Sequence, residues 1–178
     1  VVSAHTRAMS SGPSSPIGSV AAAVAAGRTS AVSMVAEALD RIERLDPAID
    51  AVVALRAEAA HREAAMIDAA IARGDPVGSL AGVPVLVKDL EDVAGLRTTQ
   101  GSLLFADVEP ATEDSVIPAR LRAAGAVIVG KTNLSEFATE GFTDNRLFGA
   151  TGNPWSIAHS PGGSSGGSAA VVAAGMVP

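Results

Sequence analysis

The chain has 178 residues, enough for one domain with a hydrophobic core, and 48% of them are hydrophobic although only 3% are aromatic. Its net charge of −6 and its lack of any Lys or Arg cluster argue against a nucleic-acid-binding surface. The absence of cysteine excludes disulfides, thiolate metal sites and cysteine nucleophiles. The three histidines, His5, His61 and His159, do not have the spacing of metal ligands.

The first part of the chain predicts a flexible arm followed by two helices. Residues 1–16 are rich in serine, proline and small polar residues, a composition typical of a loosely held N-terminal arm. One helix is predicted over 17–26. A second is predicted to begin with Thr29 or Ser30 as its N-cap and to run to about Leu45, with apolar residues at helical spacing along one face.

No segment of the sequence predicts insertion into a membrane. No apolar run approaches the roughly 18 residues that a membrane-spanning helix needs. The alanine-rich stretch Val20–Ala26 follows a single arginine, but alanine is weakly apolar and the stretch continues into a helical pattern, so we do not interpret it as a secretion signal. We therefore expect a cytoplasmic protein.

The rest of the chain alternates strands and helices. The predicted elements are a strand at 51–55, a helix at 57–73, a buried strand at 83–87, a helix at 114–124, a strand at 126–129 and the start of a helix at 133–138. This order, without an internal repeat, predicts an α/β fold built in layers. Residues 141–168 are dense in Gly, Asn, Pro and Ser and predict a long irregular segment, which inside a compact domain usually has a function.

The glycine- and serine-rich stretch Gly162–Ser168 has two interpretations. Its composition is that of a flexible linker, but the apolar, helix-capable run Ala169–Val177 follows it at once. Ser165 or Ser168 is expected to cap that helix, and the glycines would let the backbone approach a ligand closely. Composition alone leaves linker and functional loop equally open.

Lys88 stands directly after the apolar run Val83–Val87. Lysine is rarely buried without a partner, so this residue is either a strand-end lysine whose ammonium reaches solvent or a partly buried amine whose pKa falls until it can act as a base. Asp89, Glu91 and Asp92 follow it. We expect these carboxylates to form a solvated loop or to provide Lys88 with a counter-ion; acid–base work by a carboxylate pair is the less common alternative.

The segment Gly125–Thr132 matches the phosphate-loop pattern G-x-x-x-x-G-K-[ST]. A phosphate loop needs its strand before the first glycine and flexible residues between the two glycines. Here a β-branched strand lies between the glycines and a predicted helix precedes them, so an extended backbone cannot form the cradle. We do not predict nucleotide binding.

Five segments, taken together, resemble the amidase signature family in order and spacing. They are Leu80–Asp89, Ala123–Phe137, Asn145–Gly149, Gly152–Trp155 and Ser160–Ala170. The resemblance extends from about residue 17 to the end of the chain. It implies an α/β fold with a mixed β-sheet core flanked by α-helices on both faces, in which 17–178 form the N-terminal part of a single amidase domain whose remaining strands lie elsewhere.

The resemblance also implies a Ser–Ser–Lys catalytic set. Lys88 corresponds to the base and Ser164 to the serine that bridges the base and the nucleophile, with the Gly163–Ser164 peptide bond in cis. Ser165 is implied to support the network by hydrogen bonding. The segment before Asn145 is implied to line the acyl pocket, which gives the candidate substrate-binding residues Ala138, Thr139, Glu140, Gly141 and Thr143. The resemblance implies neither a metal nor a cofactor.

The implied reaction is hydrolysis of a small linear carboxamide through an acyl-enzyme. The nucleophilic serine of the family belongs to a segment that would follow Pro178. The isolated chain is therefore expected to lack amidase activity, and to aggregate or form a homodimer through exposed sheet surface. Two alternatives stay open. One is a component like the A subunit of glutamyl-tRNA(Gln) amidotransferase, the only case in which we expect a nucleic-acid partner; the other is a non-catalytic remnant.

Overall fold

The computed structural model describes residues 17–178, and the arm predicted at 1–16 lies outside them. Within the described range, three strands form one mixed sheet in the order β1-β3-β2, with β3 antiparallel to β1 and parallel to β2. The strands are β1 (Val52–Leu55), β2 (Pro84–Lys88) and β3 (Val127–Thr132). The five α-helices of the same range are α1 (Ile17–Ala25), α2 (Ala31–Leu45), α3 (Ala57–Arg73), α4 (Val116–Ala123) and α5 (Gly166–Ala173).

The start of α2 follows its sequence signal closely. Ser30 is the N-cap of α2, and its side chain accepts a hydrogen bond from the Ser33 backbone N–H. Asp68 of α3 accepts two more bonds, from the backbone N–H groups of Ala31 and Val32, so that α3 helps to satisfy the unpaired donors at the start of α2. No helix among residues 17–178 combines the length and the apolar character that a membrane span requires.

Helices cover both faces of the sheet, as predicted. Val127 and Val129 of β3 belong to one buried cluster with residues of α2, α3 and α5. Ile128, between them, points to the opposite side and packs with Val87 and with Leu121 of α4. Since successive side chains of a strand alternate between faces, the central strand is buried on both sides.

An ion-pair network joins the helices of the two faces. Glu63 of α3 lies 2.7 Å from Arg56, at the end of β1, and 2.6 Å from Arg122 of α4. Arg122 also pairs with Asp114 at 2.5 Å. Burial raises the pKa of the Glu63 carboxyl, but hydrogen bonds and charge from the two arginines outweigh burial and hold it below its ordinary value.

Two predicted elements differ from the observed ones at the polar end of the sheet. The strand predicted at 126–129 continues through Thr132, because Lys131 finds buried partners and stays in the ladder. The helix predicted to begin at 133–138 is wrong: this segment holds a single 3-10 turn, Glu136–Ala138, in which Phe137 and Ala138 have φ of 52° and 57°. Left-handed backbone at these two positions cannot continue a right-handed helix.

Candidate active site

Lys88 and Ser164, which are 76 residues apart in the chain, meet at the end of the sheet. Lys88 is the last residue of β2, and its Nζ donates a hydrogen bond to Ser164 Oγ at 2.7 Å. Among residues 17–178, the Lys88 amine has no carboxylate within ion-pair distance and no other hydrogen-bond acceptor. Burial lowers the pKa of Lys88 below its ordinary value of 10.5, because removing the amine from water disfavours its charged form.

The loop that carries Ser164 packs tightly against the segment around Phe142. The Gly163–Ser164 peptide bond is cis. A Cβ at Gly163 would overlap the backbone of Phe142, so only glycine allows this approach. Ser165 follows at the N-cap position of α5, but its side chain makes no capping bond and its hydroxyl has no hydrogen-bond partner in the described part of the chain.

The Thr143 hydroxyl forms hydrogen bonds to both ends of this loop, and we call this pair of bonds the Thr143 clamp. Its hydroxyl donates to the Gly162 carbonyl at 2.8 Å and accepts from the Gly166 backbone N–H at 3.0 Å. The side chain is buried, 1% exposed. Of the five candidate substrate-binding residues, Thr143 is therefore the buried one, and its observed contacts position the loop of Ser164.

The other four candidates lie between the 3-10 turn and Thr143. Thr139, Glu140 and Gly141 are exposed and Ala138 is half-buried. Their backbone is anchored by Ser135, whose hydroxyl accepts from the Glu140 N–H at 3.1 Å. The Thr139 hydroxyl donates to the Glu136 carbonyl at 2.9 Å, Gly141 has no side chain, and no hydrogen bond or ion pair in the described residues engages the Glu140 carboxylate.

Sequence reasoning missed three consecutive residues, the last two of β3 and the one that follows, whose side chains hold together the segments around the site. Lys131 is fully buried, and its Nζ donates to Asp89 Oδ1 at 2.8 Å and to two atoms of the 97–98 segment at 2.7 Å. The Thr132 hydroxyl bonds to that of Ser168 in α5 at 2.7 Å. Asn133 donates to Thr151 Oγ1 at 3.0 Å and to the Gly149 carbonyl at 3.1 Å. The available signal was a lysine shortly after a predicted buried strand, which calls for a partner if the strand continues.

The same contacts explain the phosphate-loop match. The strand predicted between the two glycines is confirmed, since β3 runs from Val127 to Thr132. Lys131 is fully buried and its amine is occupied by protein acceptors, so it has no access to a phosphate. The pattern is a strand with a structural lysine.

Of the three carboxylates that follow Lys88, Asp89 and Glu91 have partners of their own, and Asp92 is exposed. Asp89 is only 1% exposed and is bound by Lys131 and Thr99, so the expectation of a solvated carboxylate or a counter-ion for Lys88 is wrong for this residue. Glu91 accepts from the Ser115 hydroxyl at 2.5 Å. Lys88 therefore remains without a counter-ion in the described range, although the sequence places acidic residues beside it.

The family model named Amidase matches residues 33–178, most of the chain. The chain belongs to the amidase signature family. It is 47% identical over 140 residues to the A subunit of the glutamyl-tRNA(Gln) amidotransferase of Alkaliphilus metalliredigens, a match that covers 79% of this chain and 28% of that protein.

Solved structures of the family show the same fold. A bacterial aryl acylamidase is 35% identical, with a TM-score of 0.89 over 93% of this chain and 34% of its own. The peptide amidase of Stenotrophomonas maltophilia is 38% identical, with a TM-score of 0.83 over 92% of this chain and 34% of its own. The chain spans about 30% of the length of the curated amidase-signature relatives that it matches.

Two clefts open on the described surface of this amidase-family chain. One of about 280 Å³ is lined by Phe142, Thr143 and His159 among others, and so borders the segment that packs on the Ser164 loop. The other, about 430 Å³, lies beyond Gln100 and includes Glu109 and Glu113. Neither of these two clefts is lined by Lys88 or Ser164.

Proposed function

We propose that this chain carries the proton-transfer part of an amide-hydrolysing active site, with Lys88 as general base and Ser164 as bridging serine. The observation that carries the proposal is the 2.7 Å contact between Lys88 Nζ and Ser164 Oγ, made by an amine that has no counter-ion in the described residues. A lysine in this setting reaches its neutral form at lower pH than a free lysine, as a general base must.

The relay follows from the donor and acceptor capacity of the two groups. A hydroxyl can accept one proton while it donates another, and a neutral amine can accept one. When Lys88 is neutral, Ser164 passes its own proton to Nζ and takes up the proton of an attacking hydroxyl. The nucleophile adds to the amide carbonyl, the leaving amine receives the proton back through Ser164, and water then hydrolyses the acyl-enzyme by the same route.

The attacking group is proposed to be a serine of a segment outside this chain. No serine hydroxyl among residues 17–178 bonds to Ser164 Oγ, whose observed partner is Lys88. The family resemblance assigns the nucleophile and the backbone donors for the oxyanion to a segment that follows, in keeping with relatives about three times as long. Without these groups, the 178-residue chain is expected to show no amide turnover.

The acyl part of the substrate is proposed to contact Ala138, Thr139, Glu140 and Gly141. These residues lie between Ser135, which binds the Glu140 backbone, and Thr143, which holds the Ser164 loop, and three of the four are exposed. Thr143 is proposed to act on the substrate indirectly, through the position of the Ser164 loop. Ser165 is proposed to support the relay when the complete site is assembled.

A chimera tests the base assignment without any assumption about the natural substrate. Residues 17–178 would replace the matching third of the bacterial aryl acylamidase, which has the same fold at a TM-score of 0.89. The chimera is expected to hydrolyse an aryl acylamide, and Lys88→Ala or Ser164→Ala is expected to lower kcat/KM by about 10²–10⁴-fold.

The matched control is Arg62→Ala, which removes a cation from an exposed helix face, where the side chain is 70% exposed. It is expected to leave kcat/KM unchanged. A Lys88→Ala chimera that folds with the same melting temperature and keeps kcat/KM within about threefold of its parent would contradict the proposal.

A second candidate function, that of an amidotransferase A subunit, is favoured by the 47% identity to the Alkaliphilus protein. In that case glutamine is the amide substrate, and protein and tRNA partners are required. Placing residues 17–178 in the matching segment of the Alkaliphilus protein and measuring ammonia release from glutamine provides the test. Recovery there but not in the acylamidase chimera would favour the second candidate, and failure in both would favour a non-catalytic remnant. Cytoplasmic location and homodimer formation stay predictions.

A further inference from the structure

The chain contains only two lysines, Lys88 and Lys131, and they lie at the same end of adjacent parallel strands. Lys131 pairs with Val87 in the ladder, and Lys88 pairs with Thr132. The two amines nevertheless have opposite environments. Lys88 bonds to one neutral hydroxyl, whereas Lys131 is fully buried on a carboxylate and two further oxygen acceptors.

Asp89 connects the two lysines. It follows Lys88 in the chain, and its backbone N–H bonds to the Thr132 carbonyl at 3.0 Å, which continues the β2–β3 ladder past the catalytic residue. Its carboxylate accepts from Lys131 at 2.8 Å, from the Thr99 N–H at 3.2 Å and from the Thr99 hydroxyl. The backbone and the side chain of the residue after Lys88 are thus both tied down.

The charge of Asp89 matters as much as its position. Asp89 is the carboxylate that adjoins Lys88 in the sequence, and an opposite charge brought close to an amine favours its ionised form. The other carboxylates of the neighbouring segments are occupied or turned to solvent: Glu91 binds Ser115, Glu136 binds Ser102 at 2.6 Å, and Asp92 is exposed. Lys131 supplies the buried positive charge that Asp89 requires.

We propose that the buried Lys131–Asp89 ion pair is a positioning element of the catalytic site, which fixes the chain at Lys88 and keeps the Asp89 carboxylate from becoming the counter-ion of Lys88. The inference rests on the proposed role of Lys88 as base. It assigns Lys131 a function in the site although this residue touches neither Ser164 nor, on the proposed mechanism, the substrate.

The two-lysine composition makes the test direct. The 178-residue chain is labelled with ¹³C at the lysine ε carbon, which gives one signal for Lys88 and one for Lys131. The pH titration of the Lys88 signal is then compared in the wild type, Lys131→Met, Asp89→Asn and the double variant. This readout does not depend on enzymatic activity.

The proposal predicts opposite effects for the two single variants. In Lys131→Met the unpaired Asp89 carboxylate is expected to raise the midpoint of the Lys88 titration by about one pH unit, and in Asp89→Asn the unpaired Lys131 charge is expected to lower it by a similar amount. In the double variant the midpoint of the Lys88 titration should lie between those of the two single variants. A merely structural role would open the site and move both single variants upward, so shifts of the same sign, or no shift, overturn the proposal.

The double variant covers the case in which the single variants do not fold. It leaves neither member of the pair as a buried charge without a partner, so it is expected to fold. Amide hydrogen exchange over 89–99 should then be faster than in the wild type, and unchanged exchange would overturn the positioning role. If the titrations behave as predicted while the Lys88→Ala chimera keeps its activity, the proposed function is wrong. The inference that Lys131 keeps the Asp89 carboxylate from pairing with Lys88 would still hold.

Discussion

The packing of α2 and α3 on the sheet differs in kind from the packing of the loops around Lys88 and Ser164. The first is made of small and branched apolar side chains in one buried cluster. The second is made of hydrogen bonds from Thr143, Asn133 and Lys131 to backbone and side-chain oxygens, and of glycines in close backbone contact. The comparison indicates that the apolar region stabilises the fold in proportion to the area that it buries. The polar region instead fixes the positions of the side chains of Lys88 and Ser164.

The largest loss of stability is expected in the apolar region. Ile42 of α2 is 2% exposed within the main core cluster. Ile42→Ala should lower the free energy of unfolding by about 2–5 kcal/mol through lost burial and a residual cavity. Urea unfolding measures the effect, with the 70% exposed Met66→Ala as control. The Lys88 titration of the folded variant should be unchanged; a shift would show that the two regions are coupled.

A smaller loss, with a larger effect on the site, is expected at Gly167. A Cβ there would overlap the Asn133 backbone at the end of β3. Gly167→Ala should cost about 1–3 kcal/mol and displace the start of α5, and with it the Ser164 loop. Gly18→Ala in α1 is the matched control, since its Cβ would meet nothing within 4 Å. Equal melting temperatures for the two variants would contradict the close-approach argument.

Thr143→Val tests the clamp with little change in volume. It leaves the Gly166 N–H and the Gly162 carbonyl without their shared partner, at a cost of about 1–3 kcal/mol. Amide exchange at Gly166 should accelerate more than exchange in α2. The control is Thr139→Val, whose exposed hydroxyl bonds only to the Glu136 carbonyl. Uniform acceleration across both regions would mean that the clamp contributes to global stability alone.

The last prediction involves no substitution and concerns the different chemical reactivity of the two lysines. An amine reacts with an acylating reagent in its neutral form, and burial lowers the pKa of Lys88 below 10.5. The reactivity of Lys88 should therefore begin to rise at a lower pH than the reactivity of a free lysine. Lys131 is fully buried and should stay unmodified in the folded chain. Peptide mass spectrometry after brief acylation measures the ratio. Preferential modification of Lys131 would reverse the assignment.

The apolar region could be predicted from the sequence because its hydrophobic residues recur at the spacing of a helix or in the short runs typical of a strand. The helical spacing of α2, the Ser30 cap and the β-branched runs of the strands act over a few residues, and the structure confirms them. The chain order of elements was sufficient to predict a layered α/β fold, and the helices on both faces followed from the family resemblance.

The polar region could not be predicted in the same way, because its contacts join residues far apart in sequence. Lys131 and Asp89 are 42 residues apart, and neither predicts the other locally. The pairing of Lys88 with Ser164 came from the family resemblance and not from spacing or composition. The left-handed backbone at Phe137 and Ala138 occurs without a glycine, which is the residue that usually indicates such a conformation. The sequence therefore predicts a helix at this place.

The clamp at Thr143 has a consequence for redesign of this chain. The hydroxyl that holds the two ends of the Ser164 loop is part of the same short segment as the proposed acyl pocket. Exchange of that segment with another family member would alter loop placement together with pocket shape, and activity would be lost for reasons unrelated to substrate fit. A graft limited to residues 138–141, with Thr143 retained, would separate the proposed recognition of the acyl group from the support that Thr143 gives to the Ser164 loop.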